Sequence, residues 1–295
     1  MRVGSVHRKE RCEIQTHLHL YLTDIEKAVA ADCLYFSGPI AFGADDAIRR
    51  AVEDLESKTE RLVFILETSG GFAETTRRIS DILRHHYKIV DFLIPSHAMS
   101  AGTILVMSGD AIYMDYYSVL GPIDPQIADK SGGLVPALGY LIRYEDLLKK
   151  ASAGKITTAE MEILLSFDQT LLYAYEQARD LSRSLLEEWL VKFKFKDWAV
   201  TETRKKKVTV EMKRRRAKEI ANKLNDVKLW NSHGIGINME RLRRDLKLKI
   251  EDFGANKPLN ECIRRYHDLL TDYMARMGHR SLVHTREDYQ PLTWT

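Results

Sequence analysis

Two segments decide how this chain folds: LVFILETSGG at residues 62–71 and IVDFLIPSHAMSAGT at residues 89–103. Each opens as a short run of β-branched, aromatic and leucine residues, which reads as a strand. Each closes in a glycine-containing turn, and a helical pattern follows. Working outward, Cys33–Phe36 and Ala111–Met114 supply two more strand runs. The helical stretches between them are Asp45–Leu55, with Ile48, Ala51, Val52 and Leu55 on one stripe, and Ala73–Arg84, with Ile79, Ile82 and Leu83; a third begins near Met99. Strands alternating with helices predict βα units around a mostly parallel sheet, hence an α/β class.

Beyond Asp129 the pattern changes. Ser131-Gly132-Gly133 opens a loop, and helical periodicity then dominates over Tyr140–Lys149, Ala159–Leu190, Glu211–Leu224, Met239–Leu246 and Leu259–Met277. The second of these starts behind a cap-like Thr157-Thr158 with Glu160 and Glu162 in its first turn. The predicted organisation is an N-terminal helical segment (1–30), a βα core (31–130), a helical region that completes the site and builds an oligomer (131–280), and a tail without clear periodicity (281–295).

Length and composition fit a folded chain with a sizeable core. It has 295 residues, 44% of them hydrophobic and 29% charged, close to globular averages. A net charge of +3 is too small to imply a polyanionic partner. Cys12, Cys33 and Cys262 are odd in number and show no metal-ligand spacing, so neither a disulfide framework nor a metal site is expected. With no apolar leader near the N-terminus and no run of about 18 apolar residues, the expectation is a cytoplasmic protein without a membrane segment or cofactor.

The chemistry gathers at the two turns. Both fall at the carboxyl ends of adjacent strands, the edge of an open α/β sheet where ligands bind. Ser100 opens a helix, so its hydroxyl meets the positive end of the helix dipole, and Ala98, Ala101 and Gly102 leave room for a substrate. The backbone amides of Gly71 and Ala101 would then converge on one developing oxyanion. The plainer meaning of the same residues is a pair of tight turns with Ser100 as a helix N-cap.

Residues 62–127 resemble the nucleophile region shared by the serine dehydrogenase proteinase family, signal peptide peptidase A and the proteolytic subunit of Clp protease. SVLGPIDPQ, residues 118–126, is a specific match to the first of these. The resemblance implies a crotonase-like fold of the Clp-protease type, a serine peptidase activity with Ser100 as nucleophile, and oxyanion donors at Gly71 and Ala101. It also implies a peptide or protein substrate and a ring or trimer-based homo-oligomer. One departure stands out. Where the Clp subunit has its catalytic histidine, after the strand that follows the nucleophile helix, this chain has Asp124.

A serine needs a base within hydrogen-bond reach and a group that orients it. The family's triad runs serine, aspartate, histidine along the chain, with the histidine in a late motif. WNSHGIGI, residues 230–237, resembles that motif, which makes His233 the preferred base. Asp124 or Asp168 would orient it, Asp124 being better placed because it follows the strand next to the nucleophile helix. His97 shares the nucleophile's turn but sits three residues before Ser100, and His85 and His86 end a helix. A lysine base, as in signal peptide peptidase A, is the alternative, with Lys149, Lys150 and Lys155 at about the right place in the chain.

The runs RKKK (204–207) and KRRR (213–216) support a rival reading, a nucleic-acid-binding module. Acidic residues interrupt them, and the SHGIGI turn is longer than a helix-turn-helix uses. A solvated or subunit-contacting face is the commoner meaning. A non-catalytic scaffold on the same fold is a third reading.

Overall fold

The computed structural model of the protein describes residues 2–123, 126–128, 134–201, 203, 205–230 and 235–293. They form two compact units, Met1–Leu120 with Gly236–Thr295, and Gly121–Ile235. Along the first stretch run α1 (Arg2–Val29), β1 (Asp32–Ser37), α2 (Ala44–Glu53), β2 (Arg61–Glu67), α3 (Ala73–His86), β3 (Ile89–Leu93), β4 (His97–Ala98), α4 (Ala101–Val106), β5 (Ile112–Met114) and β6 (Val119–Leu120). The second unit holds β7 (Gln126–Ala128), β8 (Leu134–Pro136), α5 (Ala137–Ser152), α6 (Thr158–Leu165), α7 (Gln169–Trp189), a π-helical turn (Leu190–Lys194), α8 (Val210–Leu224) and α9 (Val227–Trp230). The chain then returns to the first unit with β9 (Ile237–Asn238), α10 (Met239–Asp245), β10 (Glu251–Asp252), α11 (Lys257–Met277), β11 (Leu282–His284) and β12 (Tyr289–Pro291).

A seven-stranded sheet in the order β10-β5-β3-β2-β1-β11-β12 forms the frame of the first unit. From β10 to β1 every pairing is parallel, and β11 and β12 close the other edge antiparallel. The central strands are buried along nearly their whole length, as a parallel sheet covered on both faces requires. Alternation sorts the side chains. Cys33, Tyr35, Val63, Ile65 and Leu93 pack with Leu18, Leu22 and Ile25 of α1 and Ile263, Tyr266 and Leu270 of α11. Leu34, Phe36, Phe64, Leu66 and Phe92 point the other way and are fully buried. Each such leucine or phenylalanine contributes about 1.5–3 kcal/mol relative to exposure. The α/β class with a mostly parallel sheet is thus the observed one.

Three features depart from the sequence expectation. The tail, which shows no periodicity, adds β11 and β12 to the sheet, with Tyr35 opposite His284. Strands of three residues are too short to display a period of two. α10 and α11, expected to belong with the preceding helices, fall within the sheet-bearing unit, where α11 covers one face. The single helix expected over 159–190 is two. The Asp168 carboxylate accepts the amides of Thr170 and Leu171 at 2.9 and 3.2 Å and starts α7 afresh, while Thr157 and Glu160 form the expected capping box on α6.

The second unit has its own small core. Leu138 and Leu141 of α5 meet Leu172 and Tyr175 of α7, ringed by Tyr140, Tyr144 and Phe167. Further along, α7 and α8 bury Leu185, Leu186, Trp189, Ala217, Ile220 and Leu224.

Candidate active site

The end of β2 and the nucleophile turn are joined through one residue. The Thr68 amide donates to the His97 carbonyl at 3.1 Å, and the Met99 amide donates to the Thr68 carbonyl at 2.9 Å. Thr68 Oγ1 accepts the Gly70 amide at 3.0 Å. These bonds hold residues 68–71 against residues 97–100, and β6 and β9 extend the brace through the small sheet β4-β6-β9.

Glycine is required where the two segments meet. Gly70 has φ +108°, and a Cβ there would stand 2.8 Å from Ser100 Cβ and 2.9 Å from the Met99 carbonyl. At Gly71 a Cβ would collide with the Ile40 carbonyl oxygen. The Ile40 amide donates to the Gly70 carbonyl at 2.8 Å, and the Phe72 amide donates to the Ile40 carbonyl at 2.9 Å. Successive residues of an extended strand point their N–H groups to opposite edges. The Gly71 N–H therefore faces away from Ile40, toward the edge on which Thr68 holds the nucleophile turn.

Ser100 sits at the first cap of α4 with φ 50° and ψ −116°, and its side chain makes no capping bond. Such a backbone costs about 1–3 kcal/mol in a residue with a Cβ and collects at functional sites. The turn is locked on both sides: the Gly102 amide donates to the Met99 carbonyl at 2.8 Å, and Thr103 Oγ1 donates to the Ala98 carbonyl at 2.9 Å. The next residue, Ala101, is the first of α4, so its amide is one of those a helix leaves without an internal acceptor. A Cβ on Gly70 would lie 3.3 Å from the Ala101 nitrogen. Ser100, Gly70 and the Ala101 amide are thus in one place, with the Gly71 amide on the adjoining residue. Ser100 itself is 4% exposed.

The remaining sequence-derived candidates fare differently. Asp124 and His233 lie outside the described residues. Asp168 is the cap of α7. Lys149, Lys150 and Lys155 are exposed, and Lys150 is paired with Glu160. None of the three has the desolvated surroundings a lysine base requires. The His97 ring is half-exposed, with Nδ1 3.0 Å from Ser96 Oγ. Among the described residues no group of three or more His, Cys, Asp or Glu side chains is arranged to hold a metal ion, and no helix is long and apolar enough to cross a membrane.

One polar arrangement escaped the sequence reading. His267 of α11 reaches Glu67, the last residue of β2, at 2.6 Å. Three residues earlier on the same helix, Arg264 donates to the Pro95 carbonyl at 2.7 Å and pairs with the buried Asp115. α11 thereby holds the strand ends on either side of the nucleophile turn. No local pattern marks partners 200 residues apart in the chain; the only trace is the i, i+3 spacing of Arg264 and His267.

Comparison with known proteins bears on this site. Residues 40–152 match a family described as ClpP-like SDH-type serine proteinase. The match takes in Gly71, Ser100, Ala101 and Asp124 and ends before His233. Two uncharacterized proteins of Methanocaldococcus jannaschii are similar to the chain. MJ1495 is 31% identical over 150 residues, and MJ0137 is 30% identical over 154. The matched stretch spans 47% of this chain and 47% of the first relative, and 48% and 49% for the second, so the chain spans about half the length of each. Two solved structures of 1510-N, a membrane-bound stomatin-specific protease, one of them in complex with a substrate peptide, align with TM-scores of 0.41 and 0.42 at 11% and 12% identity. They cover 74% of this chain and 76% and 72% of theirs. The resemblance read from the two turns thus holds for the core segment.

Proposed function

We propose that this chain is a serine-type peptidase in which Ser100 attacks the scissile carbonyl. The observation that carries the reading is the backbone of Ser100, held at φ 50° against Gly70 beside the Ala101 amide. A serine that merely capped a helix would use its hydroxyl on a backbone amide and would not need this conformation. The family match over residues 40–152 supports a peptidase. Attack on the carbonyl moves negative charge onto its oxygen, where the amides of Gly71 and Ala101 would receive it; one such donor is typically worth about 3 kcal/mol.

In this proposal His233 takes the serine proton and returns it to the leaving amine, and Asp124 orients the imidazole. Support comes from the late WNSHGIGI motif for His233 and from the family-like segment SVLGPIDPQ for Asp124. The test is peptide hydrolysis by His233→Ala and by the three single lysine variants Lys149→Ala, Lys150→Ala and Lys155→Ala. His233→Ala is expected to lose on the order of 10⁴ in kcat and the lysine variants to stay within a few fold. The reverse outcome assigns the base to a lysine. We propose also that the chain works as a homo-oligomer, as the family resemblance implies; a monomer by sedimentation at micromolar concentration contradicts this.

A further inference from the structure

Positive charge is concentrated in one stretch of the chain. Residues 192–218 hold twelve lysines and arginines against three acidic residues, a net charge of +9, whereas the whole chain carries +3. The remainder is therefore net acidic, and the whole-chain sum hides the contrast. Charge set apart in this way is the footprint of a surface for a polyanion. All of it lies within the unit Gly121–Ile235.

The fold gives the stretch a fixed shape. Residues 199–208 double back, the Val208 amide donating to the Ala199 carbonyl at 2.8 Å and the Thr201 amide to the Lys206 carbonyl at 2.9 Å. Lys205, Lys206 and Lys207 are left exposed. Thr209 then caps α8, which buries Ala217, Ile220, Ala221 and Leu224 and turns Arg214, Arg215 and Lys218 to solvent. Lys213 Nζ donates to the Lys196 carbonyl at 2.8 Å, which ties α8 to the residues just after the π-helical turn. Arg216 is taken up by Glu219 at 2.6 Å. Arg214, Arg215, Lys218 and the lysines at 205–207 form no ion pair among the described residues.

A cleft of about 730 Å³ lies where α7 and the π-helical turn face α8, with Lys192, Arg214, Arg215 and Lys218 in its lining. Glu187, Glu188 and Glu211 share it without pairing with those cations. This mixed lining suits a ligand that brings anionic groups to the cations and N–H donors to the carboxylates. A nucleic-acid strand has both, in its phosphates and in the exocyclic amino groups of its bases. A row of acidic peptide side chains would meet the three carboxylates with like charge. A bilayer is too broad to enter a cleft, and a duplex keeps its bases stacked inside. A single strand is flexible and leaves its bases free to be met.

We infer that α8, with the basic segment that precedes it, is a binding site for single-stranded nucleic acid. The site is independent of the peptidase reading, and the Ser100→Ala protein should bind as the wild type does. The experiment follows the anisotropy of a fluorescein-labelled oligo-dC of about 20 nucleotides, long enough to exceed a typical single-strand site. With about five phosphates engaged, affinity is expected to fall about a hundredfold between roughly 50 and 200 mM salt. Arg214→Ala combined with Arg215→Ala should weaken binding about tenfold or more and lower the slope of log affinity against log salt by about 1.4, at about 0.7 for each lost phosphate contact. Arg214→Lys combined with Arg215→Lys should keep the slope. The triple variant Lys205→Ala, Lys206→Ala and Lys207→Ala should act in the same direction as the alanine pair. All these positions are exposed, and an unchanged thermal midpoint shows that each variant is folded. No binding at low salt, or binding that survives both sets of alanine substitutions, overturns the inference. So does equal competition by an oligo-glutamate of the same charge, which assigns the face to acidic protein segments. Binding to anionic vesicles without binding to the oligonucleotide assigns it to a membrane surface, and variants that change only the sedimentation of the protein make it a contact between copies of the chain; either result also overturns the inference.

Discussion

The carboxyl edge of the sheet and the helical unit Gly121–Ile235 place their glycines in opposite circumstances. Gly70, Gly71 and Gly102 each stand where a single added carbon would meet Ser100, Ile40 or Thr68. Gly139, in the exposed first turn of α5, has nothing within 4 Å of where its Cβ would be. Close packing at the first region holds a serine in a backbone conformation that costs energy, and the held conformation is what makes it a candidate nucleophile. The described residues of the second region are built on helix caps and a small aromatic core, where a lost methylene or a lost cap changes stability.

Paired substitutions test that contrast. Gly71→Ala is expected to lower the rate of Ser100 acylation on the order of 10²–10³, because the displaced strand moves one oxyanion donor, and to lower the thermal midpoint. Gly139→Ala should instead stabilise by about 0.5–1 kcal/mol, since alanine loses less backbone freedom than glycine in a helix. Equal effects at the two sites would dissolve the distinction.

A second pair sharpens the account of the turn. Gly102→Ala drives a Cβ into Thr68 Cγ2, and overpacking of this kind costs about 1–3 kcal/mol. Thr68→Ser removes that methyl and keeps the hydroxyl that accepts the Gly70 amide. Chemical denaturation of the double variant should recover most of the loss, with a coupling of at least about 0.5 kcal/mol. Simple additivity argues that the two residues are not in the contact described.

Further along the sheet, away from the turn, burial and then the neighbouring His19 push the His284 pKa down to about 3. Its Nδ1 meets the Tyr266 hydroxyl at 2.7 Å, and its Nε2 has no hydrogen-bond partner among the described residues. The unfolded chain takes up this proton near pH 6.5 while the folded chain does not, so stability is fully present above pH 6.5 and falls as the pH drops toward 3. The slope from this group is about 1.4 kcal/mol per pH unit. Denaturant titrations of wild type and His284→Gln should differ by that slope across the window; parallel curves contradict the assignment.

The legible parts of the fold were those with local causes. LVFIL and IVDFLI read as strands because each is a continuous apolar run, and they fall within β2 (Arg61–Glu67) and β3 (Ile89–Leu93), the latter ending one residue short of Ile94. The turns that follow them read as a site because glycine and alanine crowd around one serine. What failed had distant causes. β10, β11 and β12 are two or three residues each and exist because a sheet edge lies ready to pair with them. The break before α7 depends on one carboxylate that could equally have faced solvent. Glu67 and His267 meet only because α11 packs across the sheet. Asp124 and His233 came from resemblance alone, and their geometry lies outside the described residues.

The central claim is that the locked turn makes Ser100 a nucleophile. Its most direct measurement is labelling of the wild-type protein with a fluorophosphonate probe, followed by mass spectrometry of the modified peptide. Modification at Ser100, absent from Ser100→Ala and slowed by at least about 10² in Gly71→Ala, is the result predicted. Absence of adduct at Ser100 in folded wild-type protein, together with full peptide hydrolysis by Ser100→Ala, would contradict it.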